Sequence, residues 1–190
     1  MPIFNILIMK YNSENDPIVL TQIDELSSFN FWQRGTIKEI TLFVSREAIQ
    51  RTPKNEKQSI IHSRYVCHCY VDNDNLACTL ITDLNYPKND AYSLILTCLA
   101  EFKNVHHSNW YNINIDSNLK VPILSQLIKQ HQNPSTPGKA NHLEDNIPLM
   151  SIHWILKINE NLEMIVDRSK DLSFYSKRIL YNYYSKKVNN

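Results

Sequence analysis

The sequence predicts an α+β fold, in which a run of antiparallel strands is interrupted and then followed by helices, with a helical tail beyond. Three observations predict it. Short apolar runs and segments of helical spacing alternate in the order β-β-α-β-β-β-α-α. Two of those segments repeat apolar residues every three or four positions over several turns, the mark of helices lying on a sheet. A cluster of prolines, a glycine and short polar residues over 132–138 then interrupts the pattern before a heptad-spaced stretch begins.

The first strand is residues 3–11, IFNILIMKY, apolar with little alternation and therefore expected at the centre of the sheet, covered on both faces. Residues 12–17 are turn chemistry ending in Pro17, and 18–23 read as the returning strand of a hairpin. Thr36 and Glu39 stand as Thr-x-x-Glu before an apolar-periodic run, which predicts a capping box and a helix over 37–50, closed by Pro53. On that helix Ile37, Ile40, Val44 and Ala48 form the stripe expected on the sheet. Leu42 and Ile49 fall opposite and Phe43 on the shoulder, so these three predict a second, docking surface, unless they are scattered exposed residues.

Residues 54–57 read as a turn and 59–62 as a short strand. Residues 65–71 and 76–82 are strand-like and joined by Asp72-Asn73-Asp74-Asn75, a tight turn by composition. Pro87 suits a helix start, and Ala91, Leu94, Ile95, Cys98, Leu99 and Phe102 give one buried face. Pro122 is a second helix-start proline, with Ile123, Leu124, Leu127 and Ile128 turned inward. Between these helices, 103–118 reads as a His- and Asn-rich loop. The expected division is a domain over 1–132, a linker over 133–138 and a tail over 139–190.

With 190 residues there is room for one domain with a real core plus an appendage, and a formal net charge of +1 points to no nucleic acid or strongly anionic partner. Cys67, Cys69, Cys78 and Cys98 sit in apolar runs without zinc-type spacing, which reads as reduced core thiols of a cytosolic protein. No signal peptide opens the chain, and no apolar run approaches the ~20 residues of a membrane span.

The wording of two stretches carries more. SSFNFWQR followed by an amphipathic helix, and later YVCHCYVDNDNLACTLITDLNYP, resemble the N-terminal longin domain of the prenylated, anchorless longin-type R-SNAREs of eukaryotic membrane traffic. The resemblance runs through most of residues 1–134. It implies a longin, or profilin-like, domain: a five-stranded antiparallel sheet with one helix on one face and two on the other, followed by a SNARE-like coiled-coil tail. It also implies a role in vesicle-mediated transport and membrane fusion at Golgi, endosomal or vesicle membranes, with partner Q-SNARE helices joining the tail in a four-helix bundle and the longin domain closing over the tail.

The tail fits and departs. Ile155, Ile158, Leu162, Ile165, Ser169, Leu172, Ser176 and Ile179 keep the three-four spacing of a coiled-coil seam and are the expected core layers. Extended backwards, the same frame meets Pro148, which breaks a helix. NLEMIVDRSKDLSFYSKR resembles the later part of the family's SNARE motif, which puts its central arginine layer on Ile158. Isoleucine there leaves the partners' three glutamines unsatisfied, at roughly 1–3 kcal/mol each. The resemblance also implies a C-terminal prenylation box, and residues 186–190 carry no cysteine. The alternative is a non-fusogenic longin scaffold or adaptor in trafficking whose tail is regulatory or vestigial, and the tail by itself also reads as an amphipathic helix that wraps the domain without assembling. The aromatic-rich end, with Phe174, Tyr175, Tyr181, Tyr183 and Tyr184 among basic residues, suits either coiled-coil packing or peripheral membrane contact.

Catalytic chemistry finds no support. There is no phosphate loop, nucleophile elbow or His-Glu-x-x-His helix, and Asp83 and Asp90 read as solvated. Cys67-His68-Cys69 does not read as a metal site, because along a strand the thiols share one face and His68 points to the other. Neither an enzyme activity nor a cofactor is expected.

Overall fold

The computed structural model describes residues 2–62, 64–133, 149–151 and 166–188. Five strands, β1 Ile3–Lys10, β2 Ile18–Asp24, β3 Glu56–His62, β4 Tyr65–Val71 and β5 Leu76–Asp83, pair antiparallel in the order β2-β1-β5-β4-β3. β1 therefore lies between two neighbours, and it is buried on both faces along nearly its whole length, as its unbroken apolar run requires. The β4–β5 turn is held by Asp72, whose Oδ1 accepts the amides of Asp74 and Leu76, while Asn75 takes a left-handed φ of 67°.

Helix α1, Phe31–Gln50, covers one face of the sheet. Helices α2, Lys88–His106, and α3, Pro122–Gln130, cover the other, with a single 3-10 turn at Asn109–Asn112 between them. Two cores result. Under α1, Phe4, Leu7, Val44, Ala48, Ile60, Cys67 and Cys69 pack together, and under α2 and α3, Ile3, Ile6, Ile8, Leu80, Ile95, Phe102 and Leu124 do. Each such apolar side chain, fully buried, stabilises the fold by about 1.5–3 kcal/mol before entropy is counted. The outer edge of β2 is not left open. Ser117 and Leu119 donate their amides to the Val19 and Leu20 carbonyls at 2.8 and 2.7 Å, so the α2–α3 connection closes that edge.

Four expectations are corrected. Helix α1 begins six residues before the predicted start, at Phe31 after Asn30, so Thr36 and Glu39 lie inside the helix and form no capping box for it. The short strand expected over 59–62 extends back to Glu56, because its register against β4 continues to Val71. A sixth strand, β6 Leu149–Ser151, pairs parallel with β3, Ser59 facing Leu149 and Ile61 facing Ser151, where the sequence reading had only helical tail. The tail frame is not one helix either: residues 169–173 are non-helical between a helical turn at 166–168 and helix α4, Phe174–Val188.

Candidate functional site: the contact of the long helix with the tail

The tail returns to α1, where Glu39 meets Ser173 and Ser176 and Arg46 meets Asp171. Val166, Leu172 and Leu180 are buried in the same apolar cluster as Phe43, Val44, Ala48 and Ile49, with Leu42 and Tyr181 packed half-buried against it. The predicted docking residues thus divide: Phe43 and Ile49 are buried, and Leu42 is only partly covered.

Polar groups fix how the tail sits. Ser173 occupies the position before α4, and its Oγ accepts the amide of Ser176 at 3.3 Å, as an N-cap does. A capping box would next need a carboxylate reaching back to the Ser173 amide. Glu39 of α1 supplies it from outside the helix: its Oε2 accepts the Ser173 amide at 2.9 Å and the Ser176 hydroxyl at 2.6 Å. Desolvation works against the Glu39 charge, but the Ser176 and Ser173 hydrogen bonds outweigh it and hold the pKa below the ordinary carboxylate value.

Two turns along α1, Arg46 forms a second node, its side chain only 5% exposed. Its Nη1 donates to the Pro17 carbonyl, its Nη2 reaches Asp116 Oδ2 at 2.6 Å, and its Nε lies 2.6 Å from Oδ2 of Asp171, whose side chain is 8% exposed. The Nε contact is an ion pair without hydrogen-bond alignment. Desolvation pushes the Asp171 pKa up from its ordinary value, more than the attraction of Arg46 and Lys170 pulls it down. The pair therefore specifies where the tail lies more than it stabilises the contact. Lys170 and Asp16 add a surface pair at 3.5 Å, worth little by itself.

Of the predicted layer residues, Ile155, Ile158, Leu162 and Ile165 lie outside the described residues. Ser169 is half-buried and Leu172 buried within the non-helical stretch, Ser176 is fully buried in the first turn of α4, and Ile179 is 37% exposed. Sequence reasoning missed Glu39, Arg46, Asp116, Asp171 and Ser173. Ser173-x-x-Ser176 was a readable N-cap signal, but nothing local links Arg46 to acids 70 or more positions away.

Elsewhere, a cavity of about 200 Å³ opens beside α1 between Phe4, Phe29, Ile37, Ile40, Tyr65 and Ile81. Ile37 and Ile40, expected in the core, are only half-buried along it. In the sheet, Cys67 and Cys69 face α1 while His68 faces α2, where its Nδ1 lies 2.9 Å from Ser59 Oγ and its Nε2 3.2 Å from Thr82 Oγ1. Desolvation lowers the His68 pKa to about 4, so the ring is neutral at pH 7. No three His, Cys, Asp or Glu side chains converge as a metal set among the described residues, and no described helix is long and apolar enough to cross a membrane.

A family model for Longin, described as a regulated-SNARE-like domain, matches residues 26–127. The chain is 38% identical to a putative synaptobrevin homolog YKT6 of Dictyostelium discoideum, over 96% of this chain and 95% of that one. It is 32% identical to the synaptobrevin homolog YKT6 of Debaryomyces hansenii over 100% and 97%, and 31% identical to the VAMP-like protein YKT61 of Arabidopsis thaliana over 93% and 92%.

Proposed function

The chain belongs to the longin-domain family of synaptobrevin-type SNAREs, a family of vesicle-mediated membrane traffic, and on that premise we propose that its longin domain regulates assembly by closing over its own tail. The observation that carries the reading is the capping box completed between segments, Glu39 of α1 holding the start of α4 through Ser173 and Ser176. Leu172 and Ser176 belong both to the heptad frame and to the buried contact. One set of side chains cannot serve both, so the closed tail and the assembled bundle exclude each other. Residues 169–173 must also become helical before a continuous seam exists.

In this reading residues 1–132 are the regulatory domain, 133–138 the linker and 139–190 the tail. The open tail offers Ile155, Ile158, Leu162, Ile165, Ser169, Leu172, Ser176 and Ile179 as core layers to Q-SNARE helices, and Leu42, Phe43 and Ile49 are the surface that receives it when closed. The protein works by helix pairing rather than catalysis, on the cytoplasmic side of Golgi, endosomal or vesicle membranes. One observation favours the adaptor alternative: Ile158 stands where the resembled family places the arginine of the central layer.

Co-precipitation of Q-SNAREs from lysate with the full chain, the 1–133 fragment, Glu39→Ala and Ile158→Arg tests this. The expected order of capture is Glu39→Ala above the full chain, the arginine variant above both, and none by the fragment. Equal capture of other proteins by the fragment and the full chain, with no Q-SNARE among them, would refute gating and leave an adaptor.

A further inference from the structure

Helix α1 begins in solvent. Residues 31–35 are all exposed, and Trp32 at 88% is the most exposed large apolar side chain among the described residues, with Phe31 at 74% beside it. The two rings meet edge to face at 5.5 Å. Single exposed apolar residues are ordinary, but an adjacent Phe and Trp at a helix tip make a patch. The tip stands at the end of the sheet where β2 and β5 finish and β1 and β4 begin. Ring contacts at 5.4 and 5.2 Å run from Phe29 to Phe4 to Tyr65, and the Arg64 guanidinium lies 5.4 Å from the Tyr65 ring centre. Leu84, also exposed, donates its amide to the Arg64 carbonyl. Arg34 is laid back on the turn before the helix, its Nε and Nη2 donating to the Phe29 and Ser27 carbonyls at 3.1 and 3.2 Å.

We propose that the tip of α1 is a peripheral membrane contact, in which Phe31 and Trp32 enter the headgroup layer of a phospholipid bilayer and Arg34 and Arg64 meet its phosphates. The contact is separate from the gating proposed above, since residues 31–35 lie one turn or more before Glu39 and face solvent while the tail is closed. Three features make a bilayer the occupant. The first is area. Two aromatic side chains bury about 150–250 Å² each, short of the roughly 800 Å² a side of a stable protein interface, and Gln33, Arg34 and Gly35 add no apolar surface. The second is geometry. Neighbours in sequence lie about 100° apart on a helix and form no i, i+4 ridge for a partner's groove, whereas a bilayer asks only that both stand at the same end. The third is charge. The first turn of α1 carries no acid, and the acids nearby are engaged, Asp24 by Asn5, Gln22 and Lys38, Asp83 by Asn85, and Glu25 by Ser27. The positive end of the helix, with Arg34 and Arg64, therefore complements lipid phosphates.

Two aromatic side chains give a weak, reversible attachment rather than an anchor. With a formal net charge of +1 the chain has no basic field, so the contact needs no anionic lipid. The probe is the full chain with sucrose-loaded vesicles of phosphatidylcholine, alone or mixed with phosphatidylserine. Vesicles of acyl-brominated phosphatidylcholine add a second readout, because they quench a tryptophan that reaches the bilayer. Trp110 is buried and stays silent in that assay. The variants are Phe31→Ser/Trp32→Ser and Trp32→Phe, at exposed positions that leave the fold intact, and Phe174→Ser/Tyr175→Ser for the aromatic start of α4.

The full chain should partition onto phosphatidylcholine, changing by under about twofold when phosphatidylserine is added, and Phe31→Ser/Trp32→Ser should lower partitioning roughly tenfold or more. Phe174→Ser/Tyr175→Ser should leave it as it is. Trp32→Phe keeps an aromatic ring and should still bind, yet lose the quenching by brominated lipid. Quenching that survives in Trp32→Phe puts the contact elsewhere and overturns the proposal, as does a comparable loss of partitioning in Phe174→Ser/Tyr175→Ser. A full chain that stays off phosphatidylcholine, or binds only with phosphatidylserine and is released by salt, overturns it too.

Discussion

Removing the Glu39 carboxylate while keeping the helix that carries it isolates the tail contact. In Glu39→Ala the Ser173 amide and the Ser176 hydroxyl lose a shared charged acceptor at 2.9 and 2.6 Å. Hydrogen bonds to charged groups contribute about 1.5–3 kcal/mol each at the upper end, but Ser173 is exposed and its amide regains water. Ser176 is fully buried yet keeps the Ser173 hydroxyl at 3.2 Å. The net loss is therefore that of an N-cap, about 1–2 kcal/mol. Since α1 continues through alanine without penalty, nearly all of it falls on the closed-to-open equilibrium, a shift of roughly 5- to 30-fold. Amide hydrogen exchange reads it directly: amides of 177–182 should exchange faster by that factor while those of β1 and β5 stay as they are. Glu39→Gln, which keeps an acceptor without the charge, should fall between. Unchanged protection of α4 in Glu39→Ala would show that the cap does not hold the tail, and an equal loss across the sheet would show unfolding instead of opening.

Other outcomes follow from the same contacts. Leu172→Ala removes a buried side chain from the tail contact and should weaken closure by about 2–5 kcal/mol, read as increased exchange over 177–182 with the sheet unaffected. Arg46→Met strands Asp171 buried beside Asp116 and should open the tail by about 3–5 kcal/mol, whereas adding Asp171→Leu should restore closure; a double-mutant cycle without coupling would contradict the pairing. The two carboxylates respond to pH with opposite sign. Glu39, lowered when closed, favours closure above its ordinary pKa and loses that contribution as pH falls through the lowered value, whereas Asp171, raised when closed, opposes closure above its raised pKa and stops doing so on acidification. Closure in Glu39→Gln should therefore strengthen as pH falls, and in Asp171→Asn weaken. His68 is neutral and buried with a pKa of about 4 against 6.5 in the unfolded chain, so the domain should lose about 3 kcal/mol between pH 6.5 and 4, measurable by urea titration and much reduced in His68→Gln.

Elements whose partners are near in sequence were legible in the chain. The unbroken apolar run of β1 determined a central strand, Asp72 to Asn75 a tight turn, and the spacing from Ala91 to Phe102 the buried face of α2, because each depends on a repeat of 2 or 3.6 residues that the sequence itself displays. The alternation that sends Cys67 and Cys69 to one face and His68 to the other is of the same kind. The start of α1 was misread because Thr36-x-x-Glu39 has the composition of a capping box, whereas Asn30 six residues earlier begins the helix with no side-chain cap bond to advertise it. The sequence reading marked Leu42, Phe43 and Ile49 as a second surface, but could not say which would be covered.

Only the tertiary structure decided what the polar groups do. Glu39 carries the same residues around it whether it caps its own helix or another; its role depends on Ser173 arriving more than a hundred positions later along the chain. Arg46 gathers Pro17, Asp116 and Asp171 from three segments that no local pattern joins, and burial, which the sequence does not display, turns that gathering from solvated surface charge into a specifying contact. The heptad frame predicted an apolar seam along the tail, since spacing alone makes such a stripe. That the same Leu172 and Ser176 are sequestered against α1 was decided by packing, because an apolar stripe specifies that it will be buried but not by what.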